Sequence, residues 1–318
     1  VPIRATVLRS ARTTPLGDVP PQSEAQAGTA LLGWLRERLA NAGCPGQSVL
    51  VLADGAYSTG PVLANLPSAT WLLARCATNR ALFALPIHDP HRRGRKRIYG
   101  ERGLTPQQTL HQPGDWTTVT VVVRGRTIPL TVQTTGPWLV HGVPHQPLML
   151  IMVKGIDRGP GPSHRQRDPQ YFLVTAARDA QGVWRLPLPV DELLAWAWQR
   201  WEFEVMHREL KSGFGFGDQQ AWSAGGALAT TAWMLWIYAL VILVGVRCWG
   251  FAPSPDAVQG RWWRPRRWSI GQLLGALRAE LWHIGEFQPR WARSPDPWAE
   301  MATWITTRTT AALAIRHY

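Results

Sequence analysis

Cysteine is nearly absent. Three residues (Cys44, Cys76, Cys248) in 318, odd in number and widely spaced, exclude a disulfide framework and make no zinc-ligand pattern, so a reducing compartment is expected. Acid is also scarce: 21 Asp and Glu stand against 34 Lys and Arg, a formal net charge of +13 and a sequence pI near 10.8. Such a surplus points away from acidic-tail or acid-patch functions and towards a polyanion, either nucleic acid or an anionic membrane surface. No stretch resembles a signal peptide, no internal repeat is visible, and no low-complexity linker divides the chain. The first residue is Val1 rather than Met, and VPIRATVLRS reads as the interior of a strand, which suggests a fragment.

Tryptophan is plentiful, with 19 residues. Length allows one large or two smaller domains with an ample core. Residues 1–9 read as a strand, and a Pro-rich connection follows. Helical spacing of Leu31, Leu32, Leu35 and Leu39 predicts a helix over 24–42, ended by Gly43. The run VLVLADGAYSTG then places a short apolar strand, 49–53, directly before Asp54. In an open α/β sheet the strand's C-terminal edge is where ligands collect, although an Asp there also caps a following turn. A second strand, 70–74, ends at Arg75.

Residues 92–102, RRGRKRIYGER, hold six basic residues and one acid. An exposed loop contacting phosphate through Arg92, Arg93, Arg95, Lys96 and Arg97 is the expectation. Strand-like runs at 116–123, 126–133, 147–153 and 171–176 predict a small antiparallel sheet, with a tight Arg-Gly turn joining the second run to the first and a polar loop over 157–170. The uncharged stretch 224–246, about 23 residues, is long enough to span a bilayer, but a buried helix is the preferred reading. RWWRPRRW at 261–268 interleaves four arginines with three tryptophans, a pairing that suits phosphate contact and base stacking, although with 19 tryptophans in the chain some of these rings must be ordinary core. Two further helices are predicted around 270–282 and 298–315.

The stretch 198–220, WQRWEFEVMHRELKSGFGFGDQQ, is predicted to be helical up to Gly213, Gly215 and Gly217. At 3.6 residues per turn, Arg200, Glu204 and Lys211 share nearly one line with His207 and Arg208 beside it, while Trp201, Val205 and Leu210 can face a core. A carboxylate flanked by Arg and Lys suits a site holding a metal and a phosphate together; ordinary i,i+4 ion pairing on a solvated face is the alternative.

These pieces resemble insertion-sequence transposases of the DDE superfamily. Asp54 in LADGAYSTG is similar to that family's second catalytic Asp. Arg200, Glu204 and Lys211 have the spacing of its Tyr-Arg-Glu-Lys signature. LARCATNRALF and QYFLVTAARD resemble segments flanking its insertion. The likeness runs from about residue 1 to residue 246. It implies an α/β fold: a ribonuclease H-like mixed sheet with an inserted small antiparallel β-subdomain and C-terminal helices. The implied divisions are 1–79 (first part of the core), 80–180 (insertion with the basic loop), 181–250 (rest of the core) and 251–318 (basic Trp-rich tail).

The resemblance also implies metal-dependent DNA cleavage and strand transfer in the cytoplasm. Asp54 and Glu204 would be catalytic carboxylates holding Mg²⁺, with Mn²⁺ as substitute; Arg200, Lys211 and Arg208 would grip DNA. The partners would be double-stranded DNA, as terminal inverted repeats and target, and a second copy of the chain. Two departures stand out. The signature's Tyr falls at Ala197, leaving Trp196 or Trp198 to supply its contact. Asp18 is the only acid before Glu24 and no apolar strand leads into it, so the family's first Asp is expected to be missing and cleavage impaired.

Overall fold

The computed structural model describes residues 23–87, 91, 94–123, 126–155, 168–218, 220, 223–253 and 267–283. These fall into two compact units, one reaching to Glu204 and the other starting at Val205. The strand expected over 1–9, the Arg-Gly turn, most of the 157–170 loop, the helix over 298–315 and all but Arg267 and Trp268 of RWWRPRRW lie outside the described residues.

The first unit is built on a mixed sheet. Helix α1 (Glu24–Asn41) begins with a reciprocal capping box between Ser23 and Gln26 and stops where Gly43 takes a positive φ of 78°, a conformation that costs glycine little. Strand β1 (Val49–Ala53) runs parallel to β2 (Thr70–Arg75), and the short α2 (Gly60–Leu63) lies between them in sequence. A one-turn helix, α3 (Pro106–Leu110), precedes the antiparallel strands β3 (Thr117–Val123), β4 (Arg126–Val140), β5 (Val143–Val153) and β6 (Gln170–Thr175). A small hairpin, β7 (Ala177–Arg178) with β8 (Trp184–Arg185), leads to α4 (Val190–Gln199).

The antiparallel strands do not form the separate subdomain expected from the sequence. Described strands pair in the order β1-β2-β6-β5-β4-β3, one six-stranded sheet in which β6 joins the antiparallel run to the parallel pair through Leu73↔Val174 and Arg75↔Phe172. Period-two alternation specifies which face a side chain takes but not which strand lies next door, so the sequence predicted the strands and missed the pairing. The mixed α/β class stands.

Alternation divides the core between the sheet's two faces. Leu72, Ala74, Leu148, Leu150, Met152 and Leu173 point to the face covered by α2. Leu73, Ile151, Val153, Phe172 and Val174 point to the face covered by Leu193 and Leu194 of α4. Helix α4 touches both β2 and β3, which are not neighbours in the sheet, so the sheet curls around it. Truncating a side chain such as Leu72, 2 % exposed, to Ala would cost about 2–5 kcal/mol.

The second unit contains helices α6 (Ala224–Trp249) and α7 (Ile270–His283) together with most of α5 (Trp201–Phe214). Leu210, Leu235, Tyr238, Ile270 and Leu273 form its core, and the Tyr238 hydroxyl donates to Glu209 at 2.6 Å. Gly245 lets α7 approach: a Cβ there would come within 2.6 Å of Leu273 and 2.7 Å of Trp268. Trp268 is therefore core rather than an outward ring, with Nε1 donating to the Gly250 carbonyl at 2.8 Å.

Helix α6 departs from its expectation of full burial. Only 22 % of its most apolar 18-residue window is buried, and Trp233, Trp236, Leu240 and Leu243 are exposed. The segment is apolar nearly all round, and such a pattern does not say which faces find partners.

Candidate functional site

Asp54 sits where the sequence places it, one residue beyond the C-terminal end of β1. It is the N-cap of a 3₁₀ turn (Gly55–Tyr57), and Oδ1 accepts from the Gly55 amide at 2.8 Å. The turn is held from two sides. Ser58 Oγ donates to the Gly55 carbonyl at 2.7 Å, and Arg80 Nη2 donates to the Ser58 carbonyl at 2.9 Å. Gly55 lies against the end of β2, since a Cβ on it would meet the Arg75 carbonyl at 3.4 Å.

Tyr57 draws Glu24 and Asp54 into one neighbourhood. Burial pushes its hydroxyl up to about 12, and the carboxylates of Glu24 and then Asp54 act in the same direction by disfavouring a phenolate. Sequence reading missed Tyr57 beside Asp54, and Glu24 and Arg80 as residues fastening the same turn. The only available signal was the DGAY run itself, which sets Tyr57 three residues after Asp54; Glu24 and Arg80 arrive through tertiary packing.

The single helix predicted from 198 onward is two helices, α4 and α5, joined at Arg200. Its backbone remains αR, but Phe203 N bonds the Arg200 carbonyl with the tighter i,i+3 spacing. The break reflects different anchors on either side: Trp198 packs on Phe172 of the sheet, with ring centroids 6.1 Å apart, whereas Met206 and Leu210 belong to the helical core. Leu210 is buried as expected, but Trp201 is 52 % exposed. Of the two tryptophans that could replace the signature's Tyr, Trp198 is engaged in the core and Trp196 is exposed.

Across the junction, Arg200 Nη2 donates to Glu204 Oε1 at 2.8 Å as an i,i+4 pair, with Arg200 22 % and Glu204 40 % exposed at the side chain. Arg208 and Lys211 follow on α5, both exposed. The alternative of an ordinary ion-paired face therefore describes Arg200 and Glu204 as they stand.

Asp54 and Glu204 each have their own partner, and no group of three or more His, Cys, Asp or Glu capable of holding a metal occurs among the described residues. Carboxylate oxygens are the right donor type for Mg²⁺, but the described set is too small for a two-metal site. In the basic loop, Arg95, Lys96 and Arg97 are exposed, as expected; Arg92 and Arg93 lie outside the described residues.

No protein-family model and no curated protein matches the chain.

Proposed function

We propose that the chain is the DNA-engaging part of a DDE-type transposase, with a ribonuclease H-like ancestry for its sheet. The supporting observation is the pairing of two features in one chain: Asp54 directly after β1 of the parallel pair, and Arg200 bonded to Glu204 with Lys211 seven residues further on. In this reading Asp54 and Glu204 are carboxylates for Mg²⁺ or Mn²⁺. Arg200, Arg208, Lys211 and the loop cations, Arg92 and Arg93 included, hold phosphates, Arg through its planar fork and Lys as a point charge. The DNA would be the element's terminal repeats and target, held by two copies of the chain in the cytoplasm.

With Asp54 and Glu204 as the only carboxylates this reading assigns, and a two-metal site calling for more, the chain is expected to bind duplex DNA and to cut it poorly. The test is fluorescence anisotropy with a labelled duplex over a salt series, alongside a nicking assay with Mg²⁺ and Mn²⁺. Expected are binding that weakens steeply with salt and little or no nicking. Absence of duplex binding at low salt would sink the proposal, and efficient metal-dependent nicking would sink the claim of an incomplete donor set.

The exposed apolar side of α6 favours a second reading, a membrane-associated protein. Helix α6 is the one described helix long and apolar enough to cross a bilayer. Recovery of the chain in the aqueous fraction without detergent rejects that reading.

A further inference from the structure

At the tip of the β4–β5 hairpin, His141 joins Tyr99 and Phe83 in a three-ring cluster that the proposed function does not use. Phe83 pairs in an isolated bridge with Leu139 of β4, and its amide and carbonyl both bond to that residue. The Tyr99 ring lies 5.3 Å from Phe83, tilted at 43°. It also lies 6.0 Å from His141 at 19°, close to parallel. The Tyr99 hydroxyl oxygen accepts from the Gly142 amide at 2.8 Å, which fixes the ring against the turn.

Tyr99 thus has a ring neighbour in both Phe83 and His141, and of the three rings only His141 belongs to an exposed residue. Backbone hydrogen bonds tie down the segments that carry Phe83 and Tyr99. Gly100 N bonds to the Ala84 carbonyl at 2.9 Å, and Ala84 N bonds to the Glu101 carbonyl at 2.8 Å. A Cβ on Gly100 would come within 2.6 Å of the Leu85 carbonyl, so only glycine lets the two segments lie this close. The exposed Arg95, Lys96 and Arg97 lead into this pinned stem, and chain length alone keeps Arg97 within about 7 Å of Tyr99.

An exposed aromatic ring paired with a hydrogen-bonded tyrosine, beside several cations, has the two elements that single-stranded nucleic-acid sites combine: a platform for a base and charge for the backbone. Away from its ends, duplex DNA offers no free base face to such a platform. We propose that His141, backed by Tyr99 and Phe83, stacks against an unpaired DNA base while Arg95, Lys96 and Arg97 hold the adjoining phosphates. This rests on the reading of the chain as DNA-binding and adds a preference for splayed or single-stranded DNA at this surface.

The test compares a labelled single-stranded oligonucleotide with a blunt duplex of the same sequence, by anisotropy at fixed salt. His141→Ala is expected to weaken single-strand binding by about ten-fold, the scale of one lost base stack, and duplex binding by less than about two-fold. His141→Trp, with a larger face, is expected to match or exceed the unsubstituted chain on the single strand, an outcome that a folding defect would not produce. His141-dependent binding of the single strand with no duplex binding supports this inference while sinking the duplex-binding reading. Duplex binding with no effect of His141→Ala on the single strand, or with equal losses on both DNAs, overturns this inference and leaves that reading standing.

Discussion

The backbone amide of Leu72 donates to the Thr175 hydroxyl oxygen at 2.9 Å, in a fully buried contact between residues 103 apart in sequence. It lies one step beyond the last β2–β6 backbone pair, Leu73↔Val174, so a side chain satisfies an amide that the ladder leaves over. Thr175→Val keeps the shape and removes the acceptor. Stranding a buried N–H costs about 1–3 kcal/mol, and the urea midpoint should fall accordingly with the m-value unchanged. A loss under about 0.5 kcal/mol, the range of an ordinary surface change, would show that another group takes over.

Cys76 should behave unlike the other two thiols. Burial pushes it up from 9.0 to about 12, with Arg80 pulling weakly the other way, whereas Cys44 and Cys248 are exposed. Because the folded value is raised, Cys76 leaves stability untouched below 9 and erodes it as pH climbs towards 12, where an unfolded chain ionises and the folded one resists. Titration with a thiol reagent at pH 8 should show two fast-reacting groups and a third that reacts only as the protein opens. Three equally fast groups would refute the burial argument.

Replacing Arg95, Lys96 and Arg97 together with Gln should flatten the salt dependence of DNA binding. Each phosphate contact contributes about 0.9 to the slope of log affinity against log salt, so the loss should approach, and not exceed, about 3. An unchanged slope would move the phosphate contacts elsewhere on the chain.

The Arg200–Glu204 pair is only partly covered, so its contribution to folding is small: a double-mutant cycle should return about 0.3–0.5 kcal/mol. Its effect on DNA should be one-sided. Glu204→Gln removes a negative charge and should leave duplex affinity intact or slightly raised, while Arg200→Ala should lower it. Equal losses from both substitutions would mean that the pair acts structurally rather than through phosphate.

How far these features were legible depends on how local they are. Strand β1, the end of α1 at Gly43 and the strand-end position of Asp54 follow from short-range signals and match their expectations closely. Long-range facts did not show. That β6 couples two groups of strands into one sheet depends on pairings such as Arg75↔Phe172, which alternation cannot encode. The break at Arg200 was hidden because both flanking segments are good helix formers; only their attachment to different cores separates them. The sequence left open whether the tryptophans among the arginines were core or outward rings; for Trp268 the gap above Gly245 admits it to the core.

The clamp of Arg80 on the Ser58 carbonyl has a counterpart elsewhere. Arg36 donates to the carbonyls of Gln47 and Pro45, and Arg178 bonds the Gly182 carbonyl while lying over Trp184. These guanidiniums remain charged, but each commits one or two of its five donors to the chain's own carbonyls. Ion-exchange retention, which senses total charge, should therefore rank this protein as a stronger polycation than its count of released counterions on DNA, because part of its basicity serves as internal fastening.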